Sequence, residues 1–166
     1  MKCFLLIILS ILSFSFYGQT AEDYTKTGLS KTELKDYEGA IKCFNKAIGL
    51  NPNSNLAYAY RGLSKGLLKD YKGALQDYNK AIELDSENPL YYFYRGTIKY
   101  QLKNYERAIE DFNKAIGLDP NYVDAYNNRG STKYKLGDKI GACKDWNKMV
   151  ELGNSDAKET IKMFCK

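Results

Sequence analysis

The chain has 166 residues and a formal charge of +5, from 25 Lys and Arg against 20 Asp and Glu. With 44% hydrophobic and 27% charged residues it has a folding composition, sized for one domain or a short array of small units. It holds 15 tyrosines but no histidine, which excludes Ser–His and Cys–His catalysis, imidazole zinc sites and a histidine pH switch.

The first element is an address. After Met1-Lys2 runs an uncharged apolar and hydroxyl stretch from Cys3 to Tyr17, ending at Gly18-Gln19. A short basic start, an apolar core and a small residue at its end predict a signal peptide over residues 1–18, cleaved after Gly18. The stretch is shorter than the roughly 20 residues of a membrane span. Export to the periplasm or outside the cell is therefore expected, with an uncleaved N-terminal anchor as the alternative. Cys3 lies too early for a lipidated cysteine. Removing residues 1–18 takes one Lys and one Cys, leaving 24 basic and 20 acidic residues, a net +4. That is too mild to argue for nucleic acid. Three cysteines remain, Cys43, Cys143 and Cys165, an odd number that leaves at least one thiol free or paired with another molecule.

Thr20-Ala21-Glu22-Asp23 opens the first helix with an acidic turn that suits the helix dipole. From here a period of 34 residues organises the chain: Arg61-Gly62, Arg95-Gly96 and Arg129-Gly130 recur, and Gly28 extends the series backwards. Ala40, Ala74, Ala108 and Ala142 follow in register, then the aromatics Phe44, Tyr78, Phe112 and Trp146, then Asn-Lys. Half of the 34 positions are identical between residues 55–88 and 89–122. Each unit reads as two amphipathic helices. Asp36, Asp70, Asn104 and Asp138 are placed to cap the second helix of each pair. Asn51-Pro52 and Asp119-Pro120 stop helices, and Asn88-Pro89 starts one. The glycines are expected to meet Ala40, Ala74, Ala108 and Ala142 at a close helix crossing. Arg61, Arg95 and Arg129, with Lys65, Lys99, Lys133 and Asp77, Asp111, Asp145, repeat in every later unit. They read as a framework charge ladder, of the kind worth little at a surface.

These motifs resemble the tetratricopeptide repeat (TPR) family over residues 21–154, as units 21–54, 55–88, 89–122 and 123–156. Tyr stands where the family often has Trp, Ser86 replaces the usual Pro, and the fourth unit carries Lys139, Gly141 and Met149 at framework positions. The resemblance implies an all-α fold, a right-handed superhelical α-solenoid of antiparallel helix pairs. The expected TPR domain spans residues 19–166, with a capping helix over 155–165 that covers the final unit.

The family's concave groove is lined by the first helices of the pairs. Helical spacing then nominates Leu56, Tyr60 and Leu63, then Leu90, Phe93, Tyr94, Thr97, Tyr100 and Gln101, then Asn127, Asn128, Ser131 and Tyr134. Such a groove is aromatic at its centre and amide-rich toward the C-terminal end, which suits a protein or extended peptide. Some members of the family clamp a chaperone's C-terminal carboxylate with cations and Asn. Those positions hold Thr25, Leu29, Ala59, Leu63, Phe93 and Thr97 here, which argues against that ligand. Cys143 and Cys165 are a candidate disulfide whose geometry the sequence leaves open, and Cys43 is expected as a lone thiol on the outer surface.

The function expected is that of a non-enzymatic, exported adaptor, without cofactor, metal, nucleic acid or small-molecule substrate. A structural subunit or spacer of a cell-envelope complex, binding through its edges or convex face, is the alternative. A catalytic reading of Glu110-Asp111 fails on geometry, because adjacent helical residues point apart.

Overall fold

The computed structural model describes residues 19–165; the expected signal peptide, residues 1–18, lies outside them. Among the described residues there are nine helices and no strand. They are α1 (Ala21–Glu33), α2 (Tyr37–Leu50), α3 (Asn55–Leu67), α4 (Tyr71–Leu84), α5 (Pro89–Gln101), α6 (Tyr105–Leu118), α7 (Val123–Lys135), α8 (Lys139–Glu151) and α9 (Ala157–Phe164). No helix among them is long and apolar enough to cross a membrane.

Short turns fold the helices into four antiparallel pairs, and each pair packs on the next. The first helices also touch one another in succession, α1 on α3, α3 on α5 and α5 on α7, whereas the second helices do not. The first helices therefore line the inner, concave side, and the array is an all-α solenoid of helix pairs.

Local chemistry explains the boundaries. Thr20 and Asp23 form a reciprocal cap on α1, with Asp23 N donating to Thr20 Oγ1 at 3.1 Å and Thr20 N donating to Asp23 Oδ2 at 2.9 Å. Asn88 Oδ1 accepts from Leu90 N at 3.0 Å, with Pro89 at the first position of α5. Asp36, Asp70 and Asp138 accept from the backbone N–H of Gly39, Gly73 and Gly141. Asn104 makes no such bond, contrary to expectation. The reason is steric: a Cβ on Gly39, Gly73 or Gly141 would collide with the capping carboxylate, and the third unit carries Arg107 there.

The turn inside each pair needs one left-handed residue. Lys35, Lys69 and Lys103 adopt φ of 62°, 64° and 61°, and Gly137 stands at the same place in the fourth unit with φ 86°. A side chain in this conformation costs roughly 1–2 kcal/mol, which only glycine escapes.

The close crossing is real, and the aromatics stand nearest to Gly28, Gly96 and Gly130, with Ala142 O also 3.3 Å from a Cβ on Gly130. A Cβ on Gly28 would lie 2.5 Å from the ring of Phe44, one on Gly96 2.9 Å from Phe112, and one on Gly130 2.9 Å from Trp146. The glycines thus make room for the aromatics, which are 3% exposed or less. Ala40, Ala74, Ala108 and Ala142 are fully buried beside them, and Ala47, Ala81 and Ala115 are buried further along the same helices.

The charge ladder is also more than surface decoration. Arg95 Nε and Nη2 donate to both oxygens of Asp111 at 2.9 and 2.7 Å, and Lys99 Nζ lies 2.7 Å from the same carboxylate. The same geometry recurs at Arg61, Lys65 and Asp77 and at Arg129, Lys133 and Asp145. The three aspartates are buried. Each arginine also donates from Nη1 to an Asn of the preceding repeat, Asn45, Asn79 or Asn113, at 2.7–2.8 Å. Asn147 has no following repeat, and its Nδ2 donates to Cys143 O instead. In the first repeat Thr27 and Cys43 occupy the Arg and Asp positions, so the pair is missing. Cys43 is half-buried there and is a free thiol.

At the C-terminal end, α9 lies against α8 and covers Trp146, Met149 and Tyr134. Cys143 on α8 is joined to Cys165, just past α9, in a disulfide with Cα atoms 5.8 Å apart.

Candidate functional site

Three cavities run along the concave side and share walls. The first, about 110 Å³, lies between α3 and α5 and is walled by Leu56, Ala59, Tyr60, Leu63, Leu90 and Tyr91, with Tyr78 and Tyr94 beside them. Leu63, Tyr78 and Tyr94 continue into a second cavity of about 330 Å³, which adds Leu67, Tyr71 and Ile98. Thr97 and Gln101 carry the groove into a third, of about 340 Å³, with Tyr100, Asn128 and Ser131. No charged residue lines any of the three.

The helical register explains this lining. Residues three, four and seven apart on α3, α5 and α7 share one face. Tyr60 stacks on Phe44 of the preceding repeat, with centroids 6.1 Å apart and planes 19° apart, and Tyr94 stacks likewise on Tyr78 at 6.0 Å and 12°. One face of each groove tyrosine is thereby fixed on the framework. Asn128 holds the same position in the fourth repeat, and its Nδ2 donates to Thr97 Oγ1 at 3.4 Å. The groove therefore changes from aromatic to amide and hydroxyl along its length.

Ten nominated residues meet along these cavities: Leu56, Tyr60, Leu63, Leu90 and Tyr94, then Thr97, Tyr100, Gln101, Asn128 and Ser131. Three do not join them. Phe93 packs its ring against Tyr94, Phe112 and Tyr122, with centroids 5.3, 6.0 and 4.9 Å away. Tyr134 lies against Trp146 and Phe164, at 5.9 and 5.1 Å, beneath the C-terminal helix. Asn127 is exposed on α7 and walls none of the three cavities. Tyr71, Tyr78 and Tyr91 are walls that helical spacing on the first helices did not nominate. For Tyr91 a signal was present, because the equivalent residues Ala57 and Ala125 are alanines.

Burial dominates the groove's acid–base behaviour. It raises the Tyr78 phenol far above the ordinary tyrosine range, helped by Tyr94 and the charge of Asp77. Tyr91 is also raised, by burial first and then by Asp85. Among the described residues no cluster of three or more His, Cys, Asp or Glu is placed to hold a metal. The Asp111 carboxylate of the catalytic alternative is occupied by Arg95 and Lys99.

Comparisons place this architecture. A family profile described as "TPR repeat" matches residues 67–103 and 96–137, and one described as "Tetratricopeptide repeat" matches residues 24–54. No curated protein sequence matches the chain. Among solved structures, MamA 41-end from Desulfovibrio magneticus RS-1 is 26% identical with a TM-score of 0.76, covering 81% of this chain and 76% of that one. The Arabidopsis OM64 TPR domain is 27% identical, with a TM-score of 0.69 over 70% of this chain and 96% of its own. The first TPR of Spaghetti (RPAP3), bound to the HSP90 peptide SRMEEVD, is 25% identical, with a TM-score of 0.70 over 72% and 94%.

Proposed function

The chain belongs to the tetratricopeptide repeat family, and from that membership we propose that it is a non-enzymatic adaptor whose concave groove holds an extended segment of a partner protein. The observation that carries this reading is the continuous run of three uncharged cavities along α3, α5 and α7. Rigid tyrosines on one side offer contact area at low entropy cost. Asn, Gln, Ser and Thr on the other can pair with a peptide backbone in both directions. The RPAP3 domain is bound to the peptide SRMEEVD, which has three acidic residues and one basic residue. The groove here has no Lys or Arg in its walls to receive those acids, so its occupant is of a different chemistry.

The same proposal places the protein outside the cytoplasm, on the apolar run of residues 1–18 and its small-residue end. N-terminal sequencing of the exported protein should begin at Gln19; a chain still starting at Met1 would favour the uncleaved anchor.

The groove is tested by co-purification from the exporting cell. A variant carrying Leu67→Ser, Tyr100→Ala and Gln101→Ala should lose the partner that the unaltered protein retains, with the same helical melting curve. An edge-binding role has its own observation in Leu34, Leu68, Leu102 and Leu136. These stand 34 residues apart at the intra-pair turns and are 80%, 45%, 48% and 43% exposed. Loss of the partner on serine substitution there, with full retention by the groove variant, would favour an envelope-complex subunit.

A further inference from the structure

The first cavity differs from the rest of the groove in one respect. Tyr91, 3% exposed, is one of its walls; the Asn88 side chain approaches its hydroxyl, which is one of two buried side-chain polar atoms among the described residues without a partner at hydrogen-bond geometry. The second repeat and the fourth manage with Ala57 and Ala125 at this position. Steric fill accounts for the ring: Tyr91 packs in a cluster with the small Ala59 of the preceding repeat, while Phe93 of the same repeat packs in a cluster with the small Ala125 of the following one. Steric fill does not account for the hydroxyl, since phenylalanine would fill the same space without an unmade hydrogen bond.

Beside this cavity lies a second asymmetry. A shallow depression of about 520 Å³ shares Asn88 and Leu90 with it and is walled by Asp85, Glu87 and Asp119. Asp85 accepts from Asn55 Nδ2 and Glu87 N, and Asp119 accepts from Asn121 N. None of the three carboxylates forms an ion pair among the described residues. An apolar hollow with a free donor thus adjoins a rim of unpaired negative charge.

We propose that the cavity between α3 and α5 anchors one aliphatic side chain of an extended partner segment, with Tyr91 Oη donating to that segment's main-chain carbonyl and the acidic rim receiving an adjacent Lys or Arg. This rests on the groove reading above and gives it a register. Size selects the side chain. At about 110 Å³ the cavity is smaller than the roughly 150 Å³ of an engineered apolar cavity that accepts benzene, so it suits Leu, Ile or Met and not indole. Charge selects the neighbour, because the rim's carboxylates attract a cation and repel an acidic segment.

The experiment selects displayed random dodecapeptides on the purified protein and measures the affinity of the strongest by fluorescence polarisation. The peptides should share Leu, Ile or Met next to Lys or Arg. Tyr91→Phe should weaken the strongest peptide about three- to tenfold, the range for one hydrogen bond, while leaving the melting temperature unchanged or higher. Glu87→Lys should weaken it too and flatten its salt dependence. Equal affinity for Tyr91→Phe, or peptides lacking the aliphatic–basic pair, would overturn the subsite while the groove reading stands, provided the Leu67/Tyr100/Gln101 variant still loses them. A selection that returns no peptide, or a protein that retains glycans from an array instead, overturns both.

Discussion

Arg95 reaches Asn79 across a repeat boundary, donating from Nη1 to its Oδ1 at 2.8 Å while the rest of its guanidinium grips Asp111 of its own repeat. One side chain therefore ties the two helices of a pair together and fastens that pair to its predecessor. Its fork geometry and fixed charge suit both contacts at once, which a lysine could not match.

The two contacts should differ in cost. Asp111 is 4% exposed, and its removal strands Arg95 and Lys99, whose side chains are 19% and 17% exposed. Asp111→Ala should destabilise the fold by about 3 kcal/mol, the low end for a broken buried pair because the cations keep some water. Asn79 is exposed, so Asn79→Ala should cost only about 0.5–1.5 kcal/mol. Urea unfolding of the two variants gives the ranking, and equal midpoints would reduce the buried aspartates to ordinary surface charges.

The glycines at the crossings should not be equivalent. Helical Gly→Ala gains about 1 kcal/mol of helix propensity before any contact is considered. At Gly62 a new Cβ would lie 3.3 Å from Tyr78, a small adjustment, whereas at Gly28 it would lie 2.5 Å from Phe44. Gly62→Ala should be neutral or stabilising, and Gly28→Ala and Gly96→Ala should be destabilising by about 1–3 kcal/mol through overpacking. Thermal melts of the three variants check the order.

The repeat was legible because steric rules leave few residue choices. Only glycine fits beside Phe112, only a small residue fits at Ala108, and both recur every 34 residues. The groove was legible on α3 and α5 for a related reason, since helical spacing alone decides which residues share a face. What escaped was everything decided by a third element. The ladder of Asp77 with Arg61 and Lys65 could be read from the 34-residue period, but its burial shows only once the helices close over the carboxylate. Tyr134 has the right phase for the groove, but α9 brings Phe164 onto its ring. Tyr91 lies at a position that the second and fourth repeats devote to packing, and only a comparison with Ala57 and Ala125 reveals it.

Alkaline pH should probe the groove floor. Burial raises the Tyr78 phenol well above its unfolded value of 10.0. Between these two values the folded protein keeps a proton that the unfolded chain releases. Stability from this group is therefore complete below about pH 10 and is lost as the pH rises beyond it. Phe44 and Phe112 occupy the same position in neighbouring repeats, so phenylalanine fits the site. Tyr78→Phe should move the alkaline unfolding midpoint to higher pH, followed by far-UV circular dichroism, with little change in the melt at pH 7. An unchanged alkaline midpoint would show that other groups govern unfolding there.

The C-terminal helix should depend on its covalent tie. Ala157 is the one residue of α9 that is buried, and Met163 and Phe164 remain 63% and 40% exposed. Eight residues with so little burial form a marginal helix on their own. The disulfide closes a sequence separation of 22, and removing such a link costs about 3 kcal/mol in the chain-entropy account. Reduction, or Cys165→Ser, should release α9, expose Trp146 and Tyr134 and shift the tryptophan emission to the red, while the first three repeats keep their amide protection. Alkylation without reductant should label Cys43 but neither Cys143 nor Cys165. Labelling of all three thiols before reduction would leave the cap held by Ala157, Ile161 and Phe164 only, and then Cys165→Ser should leave both the emission and the melt unchanged.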